Sequence, residues 1–246
     1  MKEAFHQYDA DELRRQSAFA QVIHLQEVDS TQRIARELAD ARDVTLPAMV
    51  VAHHQTAGKG RGTNRWIADA GSLAVTFLLP TPSQDHAMQE LPLRAGLAVR
   101  RALMNWADEE AIQIKWPNDV WLAGKKIAGL LCERRQNVDL AGLGLNVQLA
   151  MESLDPFVAS RAASLHEHLK PGVTLPRRQD VLIAIARQML SLWQDDTWCD
   201  TLNRVHALTG RDIVVIQADE AYAGVCEGVD SQGRLLLRTG QTLHRL

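Results

Sequence analysis

Cysteine is scarce: Cys132, Cys199 and Cys226 are the only three, far apart and with no C-x-x-C pair among them. An odd, scattered set excludes a disulfide framework and a structural zinc site, and it suits a reducing, cytoplasmic setting. No apolar run approaches the roughly 20 residues that cross a bilayer as a helix. The polar, acidic opening MKEAFHQYDADELRRQ lacks the basic start and apolar stretch of a signal peptide. A surplus of positive charge is missing as well. Lys and Arg number 27 against 30 Asp and Glu, a net charge of −3, so the molecule as a whole does not attract a polyanion and any basic site must be local. Internal repeats, low-complexity tracts and charge blocks are also lacking. What is present, 46% apolar and 23% charged residues over 246 positions, is the composition of a soluble, well-packed chain with one main domain and room for a small appendage.

Shifts in hydrophobic period divide the chain. Residues 1–21 predict a short helical lead-in, and Asp29-Ser30-Thr31-Gln32 predicts a helix start in which Asp29 caps free amides and Gln32 reaches back. Ile34 and Leu38 mark that helix's apolar face, and it should end near Asp40. Residues 48–53 and 71–79 read as strands with glycine-rich 58–62 between them. Leu93, Leu97, Leu103 and Trp106 form a helical stripe with Val99 off it, and alternation resumes over 112–116. A turn at Pro117-Asn118-Asp119 leads into a hairpin, 120–122 returning as 127–132 through Ala123-Gly124-Lys125, and then into a strand over 140–149. Leu182, Ile185, Met189, Leu192 and Trp193 share one helix face, and Trp193 and Trp198 read as packing residues. After Gly210, short strands at 213–216, 222–227 and 235–238 predict a small β module, expected as a compact barrel. The division is therefore 1–207 and 208–246.

Three segments carry chemistry. In Gln55-Thr56-Ala57-Gly58-Lys59-Gly60-Arg61-Gly62, three alternating glycines bare the backbone while two cations interleave, which is equipment for binding an anion. It is no P-loop, because Gly60 rather than Ser or Thr follows Lys59, and no dinucleotide fingerprint, whose last glycine is here Thr63. A solvated loop has the same composition, but a place between two apolar strands favours binding. In the second segment, Lys115-Trp116-Pro117-Asn118-Asp119, an exposed lysine at a strand end is the plain reading, yet Lys125 and Lys126 in the next hairpin could bring a second lysine to the same end of the sheet. Asp119 reads as a turn residue. In the third, Gly142-Leu143-Gly144-Leu145-Asn146-Val147, two glycines sit in a buried strand and imply either a bulge or a flat ring packed on bare backbone. His53-His54 and His166-Glu167-His168 have spacings that share no helix face, so no metal site is expected.

In this order, STQ at 30–32, QTAGKGRGTNRW at 55–66, KWPND at 115–119, KIAGLL at 126–131 and GLGLNV at 142–147 resemble the biotin-protein ligase family, with Ala163-Ser164-Leu165 and the C-terminal β pattern extending the likeness over nearly the whole chain. The resemblance implies an α+β fold, a mixed β-sheet flanked by helices like those of class II aminoacyl-tRNA synthetases and biotin/lipoate ligases, with a small C-terminal β-barrel. It implies ATP-dependent activation of biotin to biotinyl-5′-AMP, with Mg²⁺ carried by ATP, followed by transfer to a lysine of a biotin carboxyl carrier protein. Ser30, Thr31, Gln32, Gln55, Lys59, Gly60, Arg61, Lys115 and Gly129 would bind biotin. Lys59, Arg61, Trp66, Asn118, Lys126 and Asn146 would bind ATP and the adenylate, and Lys115 and Arg61 would be catalytic. The family loop usually reads GRGRxGRxW. Here Lys59, Thr63 and Asn64 stand at its first arginine, its glycine and its last arginine, which lowers the cation count and implies weaker retention of the intermediate, with Arg65 pointing elsewhere. Only 29 residues precede Ser30, too few for the N-terminal DNA-binding domain of the repressor members, so a monofunctional enzyme without DNA or membrane partners is expected, as monomer or homodimer. Three alternatives stand beside it: a lipoate ligase or octanoyl transferase with Cys132 as thioester nucleophile, a single-stranded nucleic acid binder, and a slow, degenerate paralogue.

Overall fold

In the computed structural model, residues 8–66, 71–82, 87–217 and 220–246 are described. The helices are α1 (Ala10–Ser17), α2 (Thr31–Ala41), α3 (Glu90–Leu103), α4 (Pro156–Ala159), α5 (Arg178–Trp193) and α6 (Trp198–Arg204). The strands are β1 (Gln21–Val28), β2 (Ala48–Gln55), β3 (Ser72–Pro80), β4 (Ile112–Lys115), β5 (Asp119–Leu122), β6 (Lys125–Arg135), β7 (Val138–Asn146), β8 (Asp212–Gln217), β9 (Glu220–Val229), β10 (Leu235–Thr239) and β11 (Thr242–Arg245). Residues 1–7 of the expected lead-in lie outside the described residues, and α1 follows them.

The near-continuous apolar run of β3 is buried on both faces, as a central strand must be. Around it β1 to β7 form one mixed sheet in the order β1-β2-β3-β7-β6-β5-β4, with β1 and β2 parallel and every other pair antiparallel. This is the expected α+β architecture. Leu73, Val75, Phe77 and Leu79 project to one face, into the main core with α3 and α5. Ala48, Val50, Leu78 and Leu140 project to the other, against Ala35 and Ala39 of α2, with Ile34 and Leu38 at the margin. Because α2 packs on β2, β3 and β7, the part of this face toward β6 and β5 is left to a cavity. Val99, off the expected stripe, is buried too because α3 is covered nearly all round, while Trp106 lies beyond the helix end.

Three local expectations are corrected. The capping box does not form: Ser30 caps α2 by position alone, the Asp29 carboxylate takes the Ser30 N–H and Arg33, and Gln32 turns toward the sheet. The hairpin turn has two residues, since Ala123 and Gly124 both have positive φ, and Lys125 already belongs to β6. The C-terminal module is a four-stranded antiparallel meander, β11-β10-β9-β8, whose edge strands do not pair with each other among the described residues, so it is an open sheet instead of a barrel. Four strands with ordinary twist do not bring their edges together. Its Cys226, Val229 and Leu235 join the main core, and Trp116 of the KWPND segment donates its indole N–H to Gly233 O at 3.0 Å.

Candidate active site

Antiparallel pairing places Ala74, Gly144, Gly129, Asp119 and Lys115 in one row across β3, β7, β6, β5 and β4, on the face that carries the cavity. A second row, Thr76, Gly142 and Leu131, runs beside it nearer α2. The cavity has a volume of about 890 Å³, the size of a site for one extended ligand or two smaller ones.

At the α2 end, polar groups hold one another in fixed orientations. Gln55 Oε1 accepts from both Thr31 N–H (2.7 Å) and Thr31 Oγ1 (3.1 Å). Thr76 Oγ1 lies 3.0 Å from Thr31 Oγ1 and 3.2 Å from Gln32 Oε1. Gln32 Nε2 donates to Glu133 Oε1 at 3.2 Å, and Arg36 grips the same carboxylate at 2.8–3.1 Å. Burial alone would raise the Glu133 carboxyl, but the Arg36 hydrogen bonds and charge outweigh it and hold it below the usual range. Gly142 makes room here, because a Cβ at this position would lie 2.4 Å from Gln32 Oε1.

At the other end the glycine segment is an ordered hairpin. Trp66 N–H donates to Gly58 O (3.0 Å), Gly60 N–H to Asn64 O (2.8 Å), and Lys59 bridges Arg65. Asn64 Nδ2 donates to Arg61 O at 3.0 Å, closing the turn at Gly62, whose φ of +66° favours glycine. The hairpin lays the Trp66 ring on bare backbone, where a Cβ on Gly144 would lie 2.1 Å from the indole. The glycine pair thus accommodates a flat ring and an amide, both from the chain itself. Trp66 Nε1 is buried against this strand and has no acceptor among the described residues.

Segment 161–163 closes the remaining side: Lys126 N–H donates to Arg161 O, Ala163 N–H to Lys126 O, and Asn146 Nδ2 to Ala163 O at 3.0 Å. Lys126 Nζ pairs with Asp119 at 2.6 Å and lies 5.9 Å from the centre of the Trp66 ring. Asn118 Nδ2 donates to Leu130 O. Among the described residues the lining carries Lys59, Arg61, Arg65, Lys126 and Arg161 against one carboxylate, Asp119, in a chain of net charge −3. This is a local anion site.

Of the residues singled out in the sequence, Ser30, Thr31, Gln32, Gln55, Lys59, Gly60, Arg61, Trp66, Asn118, Lys126, Gly129 and Asn146 all line this cavity. Lys115 stands in the Gly144–Gly129–Asp119 row but outside the lining residues, its ammonium 5.1 Å from the centre of the Trp121 ring. Arg65, expected to point elsewhere, is in the lining. Sequence reasoning missed Thr76, Arg161 and the Glu133–Arg36 pair. Thr76, a hydroxyl in the middle of an apolar strand, was the available signal. Cys132 packs with the main core, and burial pushes its thiol up, away from the thiolate a transferase needs.

The Biotin/lipoate A/B protein ligase family matches residues 24–149, just over half of the chain. The chain belongs to this family. It is 32% identical over 204 residues to the biotin--[acetyl-CoA-carboxylase] ligase of Mycobacterium tuberculosis, covering 78% of this chain and 73% of that protein. It is 31% identical over 229 residues to the Paracoccus denitrificans ligase of the same name, covering 87% and 92%. Aquifex aeolicus biotin protein ligase, solved with biotin and ATP, superposes with a TM-score of 0.77 at 26% identity, covering 93% of this chain and 96% of that one.

Proposed function

We propose that the protein is a biotin protein ligase that joins biotin to ATP as biotinyl-5′-AMP, releasing pyrophosphate, and then passes the biotinyl group to a lysine amine of a biotin carboxyl carrier domain. The observation that carries this reading is the polarity of this cavity: oriented amides at one end, cations and a ring platform at the other. A cyclic urea offers one carbonyl and two N–H groups. Gln55, its Oε1 already taken by Thr31, has its Nε2 donors left to offer, while Gln32 presents an acceptor. A dithiolane has no N–H to offer, which weighs against lipoate. The place of Cys132 in the main core weighs against a thioester transferase.

Bringing a carboxylate to an α-phosphate sets like charges together, at a cost of about 4 kcal/mol per close pair at an effective dielectric near 20. Cations must therefore stand between them. In our assignment Ser30, Thr31, Gln32, Gln55 and Gly129 hold the fused rings and valerate chain. The Lys59-Gly60-Arg61 turn covers the carboxylate and phosphates, and Trp66 flanks the adenine. Asn118, Lys126 and Asn146 face the nucleotide, and Lys115, in its row with Asp119 and Gly129, holds the reacting carboxyl oxygen. Mg²⁺ enters with the phosphates of ATP, which demand few protein ligands of their own. Residues 1–207 form the catalytic part and 208–246 a small accessory part. No described helix is long and apolar enough to cross a membrane, and we assign the enzyme to the cytoplasm.

Labelled biotin, ATP and a biotin carrier domain test the assignment: label should reach the carrier only with ATP. Lys115→Ala should slow adenylate formation about 10²–10³-fold, the cost of losing one charge-stabilising group. Transfer without ATP would overturn the reading, and a variant as fast as the parent would remove Lys115 from it.

A further inference from the structure

We propose that Glu133, clamped by Arg36, is a positioning residue that fixes the Gln32 amide with its carbonyl oxygen toward the cavity, and thereby sets the preference of the site for a ligand presenting a urea N–H at that point. The inference rests on the biotin-ligase reading and adds a residue to it, since neither Glu133 nor Arg36 is among the cavity-lining residues.

A glutamine amide has two orientations of nearly equal shape but opposite polarity, one turning C=O and the other NH₂ to a given side. What selects between them is the partner at the far end. An ionised carboxylate has no hydrogen to donate, so Gln32 can meet Glu133 at 3.2 Å only with its NH₂. Arg36, one helical turn after Gln32 on α2, binds both carboxylate oxygens and keeps Glu133 ionised and still. The Gln32 oxygen is thus directed to the Thr76 and Gly142 side, over backbone that carries no Cβ. The single hydroxyl proton of Thr76 has both Thr31 Oγ1 and Gln32 Oε1 within reach and cannot serve the two at once. Gln32 Oε1 therefore keeps acceptor capacity, and an N–H from the ligand completes it.

Without Glu133 the amide is free to turn over, and a flipped amide opposes its NH₂ to the ligand's N–H. Glu133→Ala should raise the KM for biotin about tenfold, the scale of one buried hydrogen bond lost. The kcat of adenylation and the KM for ATP should stay within about twofold, because the change acts on biotin binding alone. Glu133→Gln should have a smaller effect in the same direction, since a second amide can either accept or donate. The reciprocal swap, Gln32→Glu with Glu133→Gln, should restore the biotin KM toward the parent value: both oxygens of a glutamate at position 32 accept, and the amide at 133 donates to one of them. A merely structural ion pair would not be rescued by moving the carboxylate across the contact. If Glu133→Ala does not fold, as read from its thermal transition, Glu133→Gln and the swap carry the test. Unchanged biotin KM in the Glu133 variants, or a swap no better than Glu133→Gln alone, would overturn the inference while leaving the ligase reading intact. A parent protein that makes no biotinyl-adenylate would overturn the reading beneath it.

Discussion

A methyl group at position 144 has nowhere to go: its carbon would lie 2.1 Å from the Trp66 indole, whereas one at position 142 would lie 2.4 Å from Gln32 Oε1. The two substitutions should therefore separate the ends of the cavity. Gly144→Ala should displace the Trp66 ring and raise the KM for ATP about tenfold or more, with less effect on biotin, and Gly142→Ala should do the reverse. Steady-state kinetics against each substrate checks both; equal effects on both substrates from either variant would contradict the assignment. At this scale the sequence was partly legible. Two glycines in a buried strand pointed to a bulge or to something packed on bare backbone, but whether it is a ligand, a ring or an amide depends on chain 78 to 110 residues away. Gln32 shows the same limit, because the residue that suits a capping box also suits a sheet-facing hydrogen bond, and Thr76 and Glu133 decide between them.

Among the elements, the glycine hairpin departs from the loop pattern that the sequence resemblance implies. Asn64, standing where the family loop has an arginine, closes the turn through Arg61 O, and the next residue, Arg65, joins the lining. If Arg65 supplies the missing cation, Arg65→Ala should raise the KM for ATP severalfold, by more at low than at high ionic strength, as partly exposed charge requires. An unchanged value at both salt concentrations would place that side chain in solvent. Strands and helices with strong periodicity were legible here, from β3 with its continuous apolar run to α5 with its single buried face. β11 was not, because Thr242–Arg245 is four residues long, and it becomes a strand by pairing with β10.

For the whole molecule, the junction between main sheet and C-terminal module carries a pH-sensitive group. His206 bridges Ile114 through the backbone, is buried, and burial pushes its pKa down to about 4. His24 is lowered in the same direction, also by burial. The unfolded chain takes up these protons first as pH falls below the ordinary histidine value of about 6.5. Stability is therefore whole above that value and is lost as pH drops toward 4, His206 accounting for about 3 kcal/mol at most. Thermal unfolding between pH 7 and pH 4 checks the direction, and His206→Gln should flatten the slope; a slope unchanged in that variant would assign the loss to other groups.

If one cation-lined cavity joins a urea-ringed acid to a nucleotide, the protein will exchange labelled pyrophosphate into ATP. Exchange should depend on biotin, should not be supported by lipoate, and should collapse in Lys115→Ala. Exchange that proceeds equally without biotin, or with lipoate in its place, would contradict it.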